Sequence, residues 1–268
     1  MNNMTPIVMH HGLFGHANWQ FGPLKWMYYR GIDRAVAARG YPVILPGVHP
    51  TASVGQRAGE LKGMILRRLT EMNCRDERIV ILAHSMGGLD ARYMLTHLGM
   101  AERTAALVTV CTPHRGSHYA DWCVKHLGQK LGGLQLMNFL KLNVQGILDV
   151  TTEGCRKFNA ATPDMPGVKY YSVSAERPND QMPPFAKHSN EIIRLAEGPN
   201  DGLVSMTSAQ WGEHLGTWTC DHWLATNRRL VSKAGPSGRI VGYWMEILDR
   251  LVKDGALPQA AEKVAGRK

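Results

Sequence analysis

The sequence predicts an α/β protein built on a mostly parallel, doubly wound sheet. Three observations carry this. Short apolar runs recur along the 268 residues. Stretches with helical periodicity separate them. The most apolar run, Arg78 to Ala83, has no polar alternation, as expected of a strand covered on both faces. Right-handed crossovers would then place helices on both sides of the sheet, with functional residues just past the C-terminal strand ends.

The elements follow in order. Pro6 to His10 reads as the first strand, ending at His11-Gly12, and Trp26 to Ala38 as a helix. Tyr41 to Leu45 is a second strand closed by Pro46-Gly47. A helix follows from about Val54 to Met72, with Ala58, Leu61, Ile65 and Leu69 on one stripe and Ser53 as its cap. Arg78 to Ala83 is the third strand and Gly87 to Leu98 the next helix. Ala105 to Cys111, Val168 to Ser174 and Gly216 to Cys220 are strands four to six. Ile240 to Val252 closes the chain as a helix with Ile240, Trp244, Ile247 and Leu251 on one face. The whole chain, 1–268, reads as one domain with a helical insertion at about 118–160. That insertion is either extra core helices or a lid over a site. Its Leu, Met and Phe content carries Lys125, Lys130 and Lys141, and Gly128, Gly132 and Gly133 would suit a hinge.

Composition narrows the function. With 44% hydrophobic and 20% charged residues, the chain buries a core and is neither disordered nor a disulfide scaffold. The net charge of +9 permits anionic partners. The basic residues are scattered in pairs such as Arg67-Arg68 and Arg228-Arg229, without interleaved aromatics, so no nucleic-acid partner is expected. Five cysteines, Cys74, Cys111, Cys123, Cys155 and Cys220, show no framework spacing, and Cys111 falls in an apolar strand as a core residue. No signal-peptide pattern precedes the first strand and no run reaches transmembrane length. A cytoplasmic location is expected; a mitochondrial location or a trimmed secreted form are the alternatives.

The chemistry concentrates after strand three, at Ala83-His84-Ser85-Met86-Gly87-Gly88. A serine on a strand-to-helix turn needs small residues two before and two after it, here Ala83 and Gly87. Such a turn lifts the Ser85 hydroxyl clear of the sheet. It also places the Met86 N–H at the positive end of a helix, ready for an oxyanion. The loop His11-Gly12-Leu13-Phe14-Gly15 would supply the second donor, from Leu13 or from Phe14 one residue on. His11 reads as an orienting residue. A serine nucleophile needs a base oriented by a carboxylate. His222 directly follows the last strand and is the favoured base, while His214 precedes that strand and reads as a surface residue. Asp201, in a Pro-Asn-Asp-Gly turn, is the favoured acid. Asp180, soon after strand five, and Asp221, beside His222, are rivals.

Five blocks, PIVMHHGLFGH, AHSMGGLDARYML, TPHRGSHYADW, FNAATPDMPGVKYYSVSA and NDGLVSMTSAQWGEHLGTWTCDHW, resemble the α/β-hydrolase triacylglycerol lipases of bacteria and the related fungal, mitochondrial-type lipases. They occur in the family's order from about Pro6 to Trp223. The resemblance implies an α/β-hydrolase fold with Ser85 as nucleophile, Asp201 as acid, His222 as base, and Leu13 and Met86 as oxyanion donors. It implies lipid or other ester substrates, met at a lipid–water interface, and no cofactor. Phe14, with Leu13, Trp19 and the Leu- and Met-rich insertion, would line the acyl pocket. One departure stands out. Secreted bacterial relatives bind calcium through side chains at positions held here by Leu224 and Arg228. Neither offers a side-chain oxygen, so no metal is expected there. A short-chain carboxylesterase and a non-catalytic lipid-binding module remain alternative readings.

Overall fold

A computed structural model describes residues 5–15, 18–21, 24–129, 145–228 and 238–260. The side chain of Trp19, and the whole of Lys130, Gly132, Gly133, Lys141 and Arg229, lie outside what is described. Among the described residues there are eight strands: β1 Ile7–His10, β2 Asn18–Phe21, β3 Leu24–Met27, β4 Val43–Ile44, β5 Ile79–His84, β6 Thr104–Val110, β7 Lys169–Glu176 and β8 Glu213–Thr219. The α-helices are α1 Ile32–Ala38, α2 Val54–Glu71, α3 Gly87–His97, α4 His118–Gln129, α5 Gln145–Asp149, α6 Thr152–Ala161, α7 Lys187–Glu197 and α8 Gly238–Lys253.

Six strands form one parallel sheet in the order β4-β1-β5-β6-β7-β8, and β2 pairs with β3 as a separate antiparallel hairpin. Every residue of β5 is buried, as its unbroken apolar run predicts. Its side chains alternate between two cores. Val80 and Leu82 join Ile7, Met9, Val108 and Tyr171 beneath α1 and α8. Ile79, Ile81 and Ala83 join Val8, Ile44 and Leu107 beneath α2 and α3. The α2 stripe Ala58, Leu61, Ile65 and Leu69 is fully buried, and Ser53 Oγ accepts from the Gln56 N–H at 3.2 Å.

Two sequence expectations change. The helix expected from Trp26 begins only at Ile32, because Leu24–Met27 pairs as a strand and Gly31, at φ 79°, turns the chain into the helix. The sixth strand begins at Glu213 rather than Gly216. The described parts of the insertion are helical, α4, α5 and α6, and Gly128 lies within α4. Residues 130–144 are not described. Among the described residues, no helix is long and apolar enough to cross a membrane, and the cysteines are all free thiols.

Candidate active site

Ser85 sits between β5 and α3 with φ 57°, a left-handed conformation that a non-glycine residue adopts only when its surroundings hold it. They do: its N–H donates to the Val110 carbonyl at 2.9 Å, and its carbonyl accepts from Thr112 Oγ1 at 2.7 Å. The turn tolerates no side chain at Gly87, where a Cβ would lie 2.7 Å from the His11 carbonyl oxygen. A Cβ on Gly12 would lie 2.5 Å from the Ser85 Cβ. The first loop therefore presses directly on the nucleophile turn.

His222 follows the sheet-edge strand β8. Its Nε2 lies 3.0 Å from Ser85 Oγ and its Nδ1 2.7 Å from Asp201 Oδ2. The tautomer follows from the partners. A carboxylate oxygen only accepts, so Nδ1 carries the hydrogen and Nε2 is left to accept from the serine hydroxyl. Asp201 is held by the turn it belongs to. Its Oδ1 accepts from the Leu203 N–H at 2.9 Å and the Val204 N–H at 2.7 Å, and its carbonyl accepts from the His222 N–H at 2.9 Å. Asn200 locks that turn, accepting from the Gly202 N–H at 2.9 Å and from Asn190 Nδ2 of α7 at 2.8 Å. Asp201 and His222 are both buried. Three hydrogen bonds hold this carboxylate in a fixed orientation against the imidazole.

The rivals go elsewhere. Asp221 forms an ion pair with Arg177 at 2.6 Å and accepts from the Leu224 N–H. Asp180 is exposed on a 3-10 turn. His214 is half-buried within β8, near the Ser172 and Ser174 hydroxyls at 3.5 and 3.3 Å, rather than on the open surface. His11 is buried and bridges its own loop, with Nδ1 2.9 Å from the Gly12 carbonyl and Nε2 accepting from the Val48 N–H at 3.2 Å. Cys111 is fully buried beside the site; burial first, then the nearby Asp201 charge, pushes its thiol well up, so it stays a neutral core group.

Leu13 lies in the loop after β1, and Met86 is the residue from which α3 springs. The Phe14 N–H donates to the Pro50 carbonyl at 2.8 Å, which removes the off-by-one donor from competition. Phe14 itself has φ 55° and an exposed ring at the mouth of an apolar cavity of about 480 Å³. Ser85, Met86 and His222 line it, together with Leu203 and Val204 of the Asp201 loop and Tyr119, Ile147 and Val150 of the insertion.

Metal chemistry does not fit these residues. Leu224 opens a 3-10 turn, and the Arg228 guanidinium lies 4.4 Å over the Tyr28 ring, so neither position offers oxygen to calcium. His84, Cys111 and His222 bring their ligand atoms within 4.8 Å. Yet both His84 ring nitrogens are engaged, Nδ1 with Tyr28 Oη at 2.7 Å and Nε2 with the His222 carbonyl at 3.1 Å.

Sequence reasoning did not single out Tyr28, His84 or a buried ionic knot. In that knot Asp90 Oδ2 accepts from Arg57 Nε at 2.9 Å and lies 2.8 Å from His10 Nε2, while Arg57 also donates to the His11 carbonyl. His84 adjoins the serine and was visible in the motif; Arg57 and Tyr28 carry no local signal.

The sheet order and the strand–Ser85–helix turn are those of an α/β-hydrolase fold. Comparison with known proteins narrows the class. Residues 60–173 match a family described as PGAP1-like alpha/beta domain. Triacylglycerol lipase 2 of Saccharomyces cerevisiae is 29% identical over 248 residues, covering 87% of this chain and 75% of that enzyme. The Staphylococcus hyicus lipase structure superposes at a TM-score of 0.71 with 17% identity, covering 94% of this chain and 97% of that one. A metagenomic carboxyl esterase gives 0.72 with 20% identity, covering 95% and 77%. The fold is that of the α/β-hydrolases, and the proteins this chain resembles are named as lipases and a carboxyl esterase.

Proposed function

We propose that this chain hydrolyses carboxylic esters of lipids through a Ser85–His222–Asp201 triad and an acyl-enzyme. The observation that carries the reading is the continuous hydrogen-bond line from Ser85 Oγ to His222 Nε2 at 3.0 Å and from His222 Nδ1 to Asp201 at 2.7 Å.

Ser85 Oγ attacks the ester carbonyl carbon as its proton passes to His222 Nε2. The carbonyl oxygen becomes an oxyanion, held by the Leu13 and Met86 N–H groups. Asp201 stabilises the imidazolium without taking its proton. The tetrahedral intermediate collapses: the C–O bond to the alcohol breaks, and His222 protonates the departing alkoxide. Water, deprotonated by His222, then attacks the acyl-enzyme. Its collapse releases the carboxylic acid and returns the proton to Ser85. The chain's own groups carry every step.

The apolar cavity supports a lipid acyl chain as the substrate's acid part. Phe14 and Phe185 are 64% and 51% exposed, and Phe185 meets the cavity-lining Trp223 edge-on at 4.7 Å, giving the mouth an apolar rim suited to a lipid–water interface. In this reading the described helices of the insertion supply Tyr119, Ile147 and Val150 to the cavity of the single domain. The unpaired cysteines suit the reducing, cytoplasmic setting.

The test uses a fluorophosphonate probe and p-nitrophenyl esters of increasing acyl length, below and above the micellar limit. Labelling and turnover in the wild type but not in Ser85→Ala, with rates rising toward longer chains, are expected. A preference for butyrate or shorter would make the protein a short-chain esterase. A folded wild type that neither labels nor turns over would leave only a lipid-binding module.

A further inference from the structure

We propose that Tyr28 and His84 are positioning residues that tie the oxyanion loop to the backbone of the catalytic base, so that both move as one piece. This rests on the triad reading above and deepens it.

The direction of every hydrogen bond in the line is fixed by chemistry. A carbonyl only accepts, so His84 Nε2 donates to the His222 carbonyl at 3.1 Å. His84 is fully buried, and that burial first, then the adjacent His222, holds its imidazole well below the usual histidine range. It is therefore neutral, and with its hydrogen on Nε2, Nδ1 accepts. Tyr28 Oη donates to that Nδ1 at 2.7 Å. The phenol oxygen in turn accepts from the Gly12 N–H at 2.9 Å. The line Gly12–Tyr28–His84–His222 has no ambiguous member and no conflict.

Its two ends are the two parts that must be in register at the transition state. Gly12 immediately precedes Leu13, the oxyanion donor on the loop side. The His222 carbonyl belongs to the base. In between stands His84, the residue before the nucleophile. The Tyr28 and His84 rings pack edge-on at 5.7 Å, and His84 lies 4.6 Å from the His222 ring. The Arg228 guanidinium lies 4.4 Å over the Tyr28 ring and helps hold the phenol in place.

Neighbouring bonds do not duplicate this one. Tyr29 is equally buried, but its hydroxyl donates to the His10 carbonyl at 2.6 Å and meets the His84 backbone, not its ring, and reaches neither the oxyanion loop nor His222. It supplies the control for a merely structural tyrosine.

The experiment compares wild type, Tyr28→Phe, His84→Gln, the double variant and Tyr29→Phe on one p-nitrophenyl ester, together with inhibition by an alkyl boronic acid, which forms a tetrahedral adduct on Ser85. Phe removes only the hydroxyl. Gln keeps a donor for the His222 carbonyl, but its acceptor oxygen does not stand at the Nδ1 position that Tyr28 meets. The expected result is kcat reduced roughly 10- to 100-fold in each single variant, the range for sub-ångström misplacement rather than outright donor loss. KM should stay within about twofold, and boronate affinity should fall in step with kcat. The double variant should be no worse than the poorer single, since both changes break one line. Tyr29→Phe should keep the wild-type kcat. Hydrogen exchange at the 12–15 amides should quicken in Tyr28→Phe, which reads the same line without catalysis. The proposal is overturned if Tyr28→Phe keeps kcat and boronate affinity, if Tyr29→Phe loses as much, or if the two single losses multiply. A wild type that labels and turns over while Tyr28→Phe is unaffected overturns the line alone. A folded wild type that does neither overturns the triad and the line together.

Discussion

Replacing Asp201 by asparagine isolates orientation from everything else the acid does. The side chain keeps its shape, and Oδ1 still accepts from the Leu203 and Val204 amides. The change falls on the Oδ2 side, 2.7 Å from His222 Nδ1, where an NH₂ now points. Two hydrogens cannot face each other, so Nδ1 becomes the acceptor and the imidazole hydrogen moves to Nε2. That nitrogen then donates toward Ser85 and cannot take its proton. The wrong tautomer costs about 10⁴ in kcat in triads of this kind. At about 1.4 kcal/mol per decade, that is roughly 5.5 kcal/mol of transition-state stabilisation. Stability should change little, because the two loop bonds survive. The assay is p-nitrophenyl butyrate hydrolysis beside a thermal unfolding scan. Asp221→Asn is the paired control: Asp221 is buried against the partly exposed Arg177 rather than the imidazole, and turnover should persist. A loss smaller than about tenfold in Asp201→Asn, or an equal loss in Asp221→Asn, would refute the assignment of the acid.

Other expectations follow from the same geometry. Gly12→Ala places a methyl 2.5 Å from the Ser85 Cβ and 3.0 Å from its Oγ, and should lower kcat about 100-fold while the sheet still folds, as circular dichroism would check. Arg57→Met leaves the buried Asp90 charge with only His10, and should destabilise by about 3–5 kcal/mol, read from the urea midpoint. His84 and His114 are buried and held well below 6.5, chiefly by desolvation. The unfolded chain takes up protons below 6.5 that the native state refuses, so stability falls as pH drops through that value. Each group contributes a slope of up to about 1.4 kcal/mol per pH unit, measurable as urea midpoints at pH 7.5 and 5.5.

What could be read from the sequence was what rests on local pattern. The run Ile79–Ala83 announces a central strand because nothing polar interrupts it, and the alternation of strand and helix then fixes the sheet. Ser85 was legible because a sharp turn demands Ala83 and Gly87 at set distances. Asp201 and His222 were legible through chain order and loop position. The 26–38 segment misled because Trp26 and Met27 are apolar at helical spacing, while the pairing partner at Asn18–Phe21 lies outside any local window. The α7 helix, Lys187–Glu197, was passed over: it follows Pro183-Pro184, and its polar content hides the buried Ile193. The Tyr28–His84 line and the Arg57–Asp90 knot join residues 56 and 33 apart. Long-range polar partners leave no periodic trace.

The placement of the base has a consequence for how this protein fails under heat. Ser85 follows the fully buried β5, but His222 follows β8, which among the described residues is paired on one side only and mostly half-buried or exposed. Fraying at that border withdraws the imidazole while the interior layers stay intact. Catalytic competence should therefore vanish at a lower temperature than the cooperative melt, and return on cooling, so that a warmed sample is first silent and only later denatured.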